Sequence, residues 1–161
     1  MKVLVVNAGS SSLKYQLFNT DTAEVLSKGI CERIGIDGII EHKLADGTKI
    51  KNEIAMPNHA VAMKTVVEYL TNPEFGCIKD MSEIEAVGHR VVHGGPYFFE
   101  SCLVTPEVLE KLELCRDFAP LHTGGLGGVP SRYAEHPSGA CIRYGIPSDD
   151  ARIRLHISYS L

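Results

Sequence analysis

Several strand-like runs come before the first helical pattern in this chain, and that order decides its fold class. Lys2–Val6 is a short apolar run suited to a buried strand. Leu13–Phe18 alternates apolar and polar residues, as a half-buried strand should. Glu24–Cys31 follows, then Ile39–Leu44 and Thr48–Ile54, joined by the hairpin signal Asp46-Gly47. After these, Asn58 can cap a helix over 59–71, with Val61, Val66 and Leu70 near one face. Asp80 and Glu83 fit a capping box for a short turn. Ile84–Val92 reads as a further strand. Thr105-Pro106-Glu107 starts a second helix, whose apolar stripe is Val108, Leu112 and Cys115 and which ends before Pro120. A β-β-β-α order is not a simple β-α-β repeat, and it predicts a mixed α/β domain.

Composition narrows the function classes. The chain has 161 residues, within the size of one domain, and 44% of them are hydrophobic, too many for a disordered chain. A net charge of −4 gives no support for binding nucleic acid or an anionic membrane. No apolar run approaches the ~20 residues that span a bilayer. The first apolar run ends short of a signal-peptide core, so a cytoplasmic protein is expected. Cys31, Cys77, Cys102, Cys115 and Cys141 lack CxxC spacing and read as reduced, packed thiols.

The composition changes near residue 122. Residues 1–122 hold all nine Lys and carry a net charge of −5. Residues 123–161 hold no Lys, four Arg and six of the 15 Gly, and carry +1. Gly124, Gly125, Gly127 and Gly128 crowd the start of this tail, which has no sustained period of 2 or 3.6. The pattern therefore places no strand or helix there.

Three features carry chemistry. The first is Asn7-Ala8-Gly9-Ser10-Ser11-Ser12-Leu13-Lys14, a turn between two strands. Gly9 permits close backbone approach to a ligand, and the Ser10, Ser11 and Ser12 hydroxyls and the Lys14 ammonium add donors for phosphate oxygens. The spacing is not that of a Walker A loop, and no helix follows as in a Rossmann fingerprint. An ordinary polar hairpin is the alternative. The second is Gly88-His89-Arg90-Val91-Val92-His93-Gly94-Gly95. Arg90 near a strand end can present its fork to a carboxylate or phosphoryl group, or form a structural ion pair. His89 and His93 are four apart, but on a strand that separates them by about 13 Å, too far to share a metal. The third is Ala119-Pro120-Leu121-His122, where His122 can approach the same cleft as Arg90.

The segments VLVVNAGSSSLKYQLF, CERIG, EAVGHRVVHGG and APLH resemble acetate kinases in order and spacing, over residues 1–122. The resemblance implies the N-terminal half of a two-domain, actin-like ATPase (ribonuclease H-like) α/β fold. It also implies reversible transfer of the γ-phosphoryl of ATP to acetate, giving acetyl phosphate and ADP, with Mg2+ required. Carried over by residue, Asn7 helps place the magnesium ion. Lys14, with Ser10 and Ser12, meets the ATP phosphates. Arg90 binds acetate and the transferring phosphoryl group. Val92 and Leu121 form the pocket for the acetate methyl, with His122 beside the substrate. A homodimer is implied for the intact family, as are a cytoplasmic location and no nucleic-acid or membrane partner. Propionate or butyrate is the alternative acceptor.

The resemblance stops at a definite place. After His122 the family continues Asn-Pro, whereas this chain has Thr123-Gly124. The genetic code offers an account when the last two bases of each codon are read with the first base of the next. Tyr133–Pro137 then permits M-P-N-T, and Cys141–Tyr159 permits VFDTAFHQTMPEYAYTFP, a string similar to acetate kinases. Arg as CGA before Tyr as TAC, for example, gives GAT, an Asp codon. The expectation is a partial kinase domain over 1–122 and an out-of-frame tail over 123–161, without a native fold and with little regular packing. A chain truncated in this way is expected to lack kinase activity and to expose apolar surface where the domains of the family meet.

Overall fold

The structure, a computed structural model, describes residues 1–91, 96–115 and 140–144. Its frame is an antiparallel meander of five strands, β1 (Lys2–Ala8), β2 (Leu13–Asn19), β3 (Glu24–Glu32), β4 (Ile39–Leu44) and β5 (Lys49–Glu53). The expected hairpin joins β4 to β5. Gly47 there takes φ +91°, and the Leu44 and Thr48 N–H groups donate to Thr48 O (2.9 Å) and Asp46 Oδ1 (2.8 Å). Gly29 on β3 pairs with Tyr15 on β2. A Cβ at Gly29 would lie 2.4 Å from Glu41 O and 2.5 Å from the Tyr15 hydroxyl, so only glycine lets that ring lie across the strand.

Helix α1 (His59–Leu70) follows, with Asn58 Oδ1 accepting the Val61 N–H at 3.0 Å. Its Ala62, Met63, Val66 and Leu70 pack on Leu4, Val6, Leu13, Leu17 and Ile40 of the sheet. Leu4, Leu13, Leu17 and Leu70 are fully buried, each contributing about 1.5–3 kcal/mol. A buried polar cluster sits in this core. The Tyr15 hydroxyl, kept protonated because burial pushes its pKa up, shares a hydrogen bond with His42 Nδ1 at 2.5 Å. Tyr69 packs edge-on against the His42 ring, and Phe75 lies tilted beside His42 and edge-on to Tyr69.

A 3-10 turn, Met81–Glu83, then leads back to the sheet. Asp80 caps it through the Ser82 N–H (2.8 Å), while Glu83 accepts the Lys79 N–H (2.6 Å) and pairs with Lys2 Nζ. The next strand, β6 (Ala86–Val91), starts later than the expected Ile84 because the Ile84 N–H closes the turn on Met81 O at 3.0 Å. β6 runs parallel to β1. Then come the short β7 (Cys102–Leu103) and α2 (Pro106–Leu114), which Thr105 caps and which buries Leu112. Cys31 and Cys115 are buried, and burial pushes the Cys31 thiol up to about 12.

Of the tail expected to show little regular packing, the described residues are Ala140–Tyr144. Strand β8 (Ala140–Tyr144) pairs parallel with β6 from Val87↔Ala140 to Val91↔Tyr144, and antiparallel with β7. A strand inside a sheet needs no period-2 alternation, so the pattern was silent about it. The whole order is β5-β4-β3-β2-β1-β6-β8-β7. Ile36, Phe99 and Leu114 are large apolar side chains left exposed. Among the described residues, no helix is long and apolar enough to cross a membrane.

Candidate functional site

The site grows from strand register. Asn7 on β1 pairs with Lys14 on β2 and, on its other side, with Arg90 on β6. Paired residues of neighbouring strands project from the same face, so the three form one row. The two cationic residues are two strand spacings apart, about 10 Å between Cα atoms. This face is opposite the one that Val6, Leu13 and Tyr15 turn toward α1. Lys14 and Arg90 are exposed, and among the described residues neither has an ion-pair partner. The structural ion pair considered for Arg90 is therefore not formed within the described part of the chain. Two unpaired cations flanking a carboxamide make a row suited to an anion with several oxygens.

The turn between β1 and β2 stands at the end of this row. The Gly9 N–H donates to Ser12 O at 2.7 Å, so this amide closes the turn and does not face outward. A Cβ on Gly9 would meet Ser12 Oγ at 3.0 Å, and the glycine thus serves the turn's own tightness. Ser10 and Ser11 are exposed, with Ser12 half-buried. The Ile34 N–H donates to Ser11 O at 3.0 Å, tying the turn to the segment after β3. His59 Nε2 lies 2.7 Å from Gly9 O, tying it to α1. The pattern gave no hint of this histidine, since the contact closes across 50 residues of sequence.

His89 lies on β6 next to Arg90 but on the opposite face, paired with Val6 in the core. Its Nδ1–H donates to Arg90 O at 2.9 Å, and burial lowers its pKa to about 4, so the ring is neutral. Val92, His93, Leu121 and His122 lie outside the described residues.

Asn7 offers one neutral oxygen between two cationic neighbours. Among the described residues no group of three His, Cys, Asp or Glu gathers to hold a metal. Magnesium takes six oxygen ligands, several from water and phosphate. The described residues do not build such a site by themselves.

The profile of the acetokinase family matches residues 2–137. The acetate kinase of Lachnoclostridium phytofermentans is 57% identical over 122 residues, 76% of this chain and 31% of that protein. The acetate kinase of Thermoanaerobacter pseudethanolicus is 54% identical over 123 residues, again 76% and 31%. This chain thus spans about a third of the length of the relatives it matches. Among solved structures, Porphyromonas gingivalis acetate kinase superposes with a TM-score of 0.79 at 39% identity, over 89% of this chain and 37% of that one. A propionate kinase from Francisella tularensis gives 0.73 at 30% identity, over 89% and 36%.

Proposed function

The chain belongs to the acetokinase family, and on that premise we propose that residues 1–122 are the phosphate- and carboxylate-facing part of an acetate kinase. The observation that carries this reading is the single row of Lys14, Asn7 and Arg90, with both cations unpaired among the described residues. Phosphoryl transfer asks the protein for positioning and charge neutralisation more than for covalent chemistry. Lys14, with the Ser10 and Ser12 hydroxyls, meets the phosphates of ATP. Arg90 holds the acetate carboxylate in its fork and neutralises charge on the phosphoryl group as it passes. Val92 and Leu121 enclose the acetate methyl, with His122 beside the substrate. Mg2+ arriving on the nucleotide would supply further charge neutralisation, and Asn7 would offer it one neutral oxygen. Family membership also supports a homodimer and a cytoplasmic location for the intact enzyme.

The likeness to a propionate kinase favours a second acceptor. A methyl-sized pocket discriminates by only about 1–3 kcal/mol per added methylene. Propionate is thus a slower substrate of the same site.

Residues 123–161 we assign to translation one base out of register. The shifted reading places the Asp of DTAFH at position 143, which β8 sets beside Arg90. On this reading the chain has negligible kinase activity by itself.

The coding DNA is the first test. If codons 133–160 cannot encode the shifted string, the frame reading is wrong. The second is acetyl phosphate formation from ATP and acetate by the purified chain, beside a frame-restored version. The restored protein turns over, its Arg90→Ala variant loses at least 100-fold, and the chain itself stays at background. Normal turnover in the Arg90→Ala variant would remove the role given to Arg90, and turnover by the chain itself would overturn its inactivity.

A further inference from the structure

His59 is the first residue of α1, and its Nε2 lies 2.7 Å from Gly9 O. A carbonyl oxygen only accepts, so Nε2 carries the proton and donates, which fixes the tautomer of the ring. This bond acts on one peptide plane. The Gly9 carbonyl and the Ser10 N–H belong to the same trans peptide and point in opposite directions. With the carbonyl held toward His59, the Ser10 N–H is directed away from it. α1 packs on the core face of the sheet, and Lys14, Asn7 and Arg90 project from the other. The remaining bonds of the turn do not fix this plane. Gly9 N–H to Ser12 O lies within the turn, and Ile34 N–H to Ser11 O holds the next plane but one.

We infer that His59 is a positioning residue, which turns the Gly9–Ser10 peptide so that the Ser10 N–H serves as a backbone donor to a phosphate group beside Lys14. The inference rests on the phosphate-facing reading of this turn and adds to it a residue on the far side of the sheet. It also accounts for a polar contact that packing alone does not require. His59 is half-buried, and alanine at the first position of a helix costs the helix little. The Asn58 cap, which donates nothing to the turn, is independent of it.

The test uses the full chain with inorganic pyrophosphate as probe, followed through the Ser10 amide resonance, with exchange of the Gly9 amide measured in the free protein. In the unchanged chain the Ser10 resonance moves on titration. His59→Ala weakens pyrophosphate binding about 5- to 10-fold and speeds Gly9 exchange, with the circular dichroism spectrum unchanged. His59→Gln, whose amide N–H can reach the same carbonyl, restores binding to within about 2-fold. Binding by His59→Ala equal to that of the unchanged chain overturns the positioning role alone, as does a His59→Gln variant as weak as His59→Ala. No binding by the unchanged chain overturns both this role and the phosphate-facing reading.

Discussion

Lowering the pH from 7.5 to 5 will destabilise this protein by about 2 kcal/mol through one side chain, His89. The ring is 6% exposed, its Nδ1–H is committed to Arg90 O, and its Nε2 has no partner among the described residues. Burial drives the pKa from 6.5 to about 4, opposed only in part by the hydrogen bond to Arg90. Between those values the unfolded chain binds a proton that the folded chain refuses. The stabilising contribution is therefore complete above pH 6.5 and is lost as the pH falls toward 4. A full shift of that size is worth about 3 kcal/mol, of which about 2 is gone by pH 5. His42 adds to the loss in the same window, because burial lowers its pKa as well. The carboxylates of Asp21, Asp37, Asp46, Asp80, Glu83 and Glu107 have lowered pKa values, so their losses come at more acid pH. Urea unfolding at pH 7.5, 6 and 5 at constant ionic strength reads the effect. In His89→Leu the decline is smaller by about 2 kcal/mol. Should that variant fail to fold, the imidazole proton resonances of the unchanged chain give the answer directly, by titrating near 4. A stability flat to within about 0.5 kcal/mol from pH 7.5 to 5, or a His89 ring titrating near 6.5, refutes the reasoning.

Two further predictions concern stability. Gly29→Ala forces a Cβ to within 2.4 Å of Glu41 O and 2.5 Å of the Tyr15 hydroxyl, and it should cost about 2 kcal/mol or more in urea unfolding. Asn58→Ala removes the acceptor of the Val61 N–H and should cost about 1 kcal/mol, with the strand signal in circular dichroism intact.

The candidate site residues were legible one at a time, and their arrangement was not. Asn7 and Lys14 stood out because a polar, Gly-containing turn interrupts two apolar strands, and Arg90 because it ends a third. Local pattern also fixed the Asp46-Gly47 hairpin and the caps Asn58 and Thr105, since each depends on residues within a few positions. That Asn7 stands between Lys14 and Arg90 depends on a parallel pairing across some 80 residues, which no window of sequence contains. His59 was missed for the same reason. Glu83, expected in a capping box, meets the backbone of Asp80 and Lys79 there and also pairs with Lys2 Nζ, a partner from β1 that no local window contains. β8 escaped notice because a strand inside a sheet need not alternate, and Ala140–Tyr144 offers no other local signal.

The row of Lys14, Asn7 and Arg90 also has a history within each molecule. Lys14 meets Asn7 through a hairpin seven residues apart, whereas Arg90 must return from 83 residues away. Closing the longer loop costs about 2 kcal/mol more in chain entropy, so the near half of the row forms first. On a ribosome adding about 5–20 residues per second, Lys14 waits roughly 4–15 s before Arg90 is even synthesised. A nascent chain thus pairs Lys14 with Asn7 well before Arg90 can join them. Under the proposed phosphate role of the turn, a ligand held there before β6 arrives would favour the meander onto which β6 must dock.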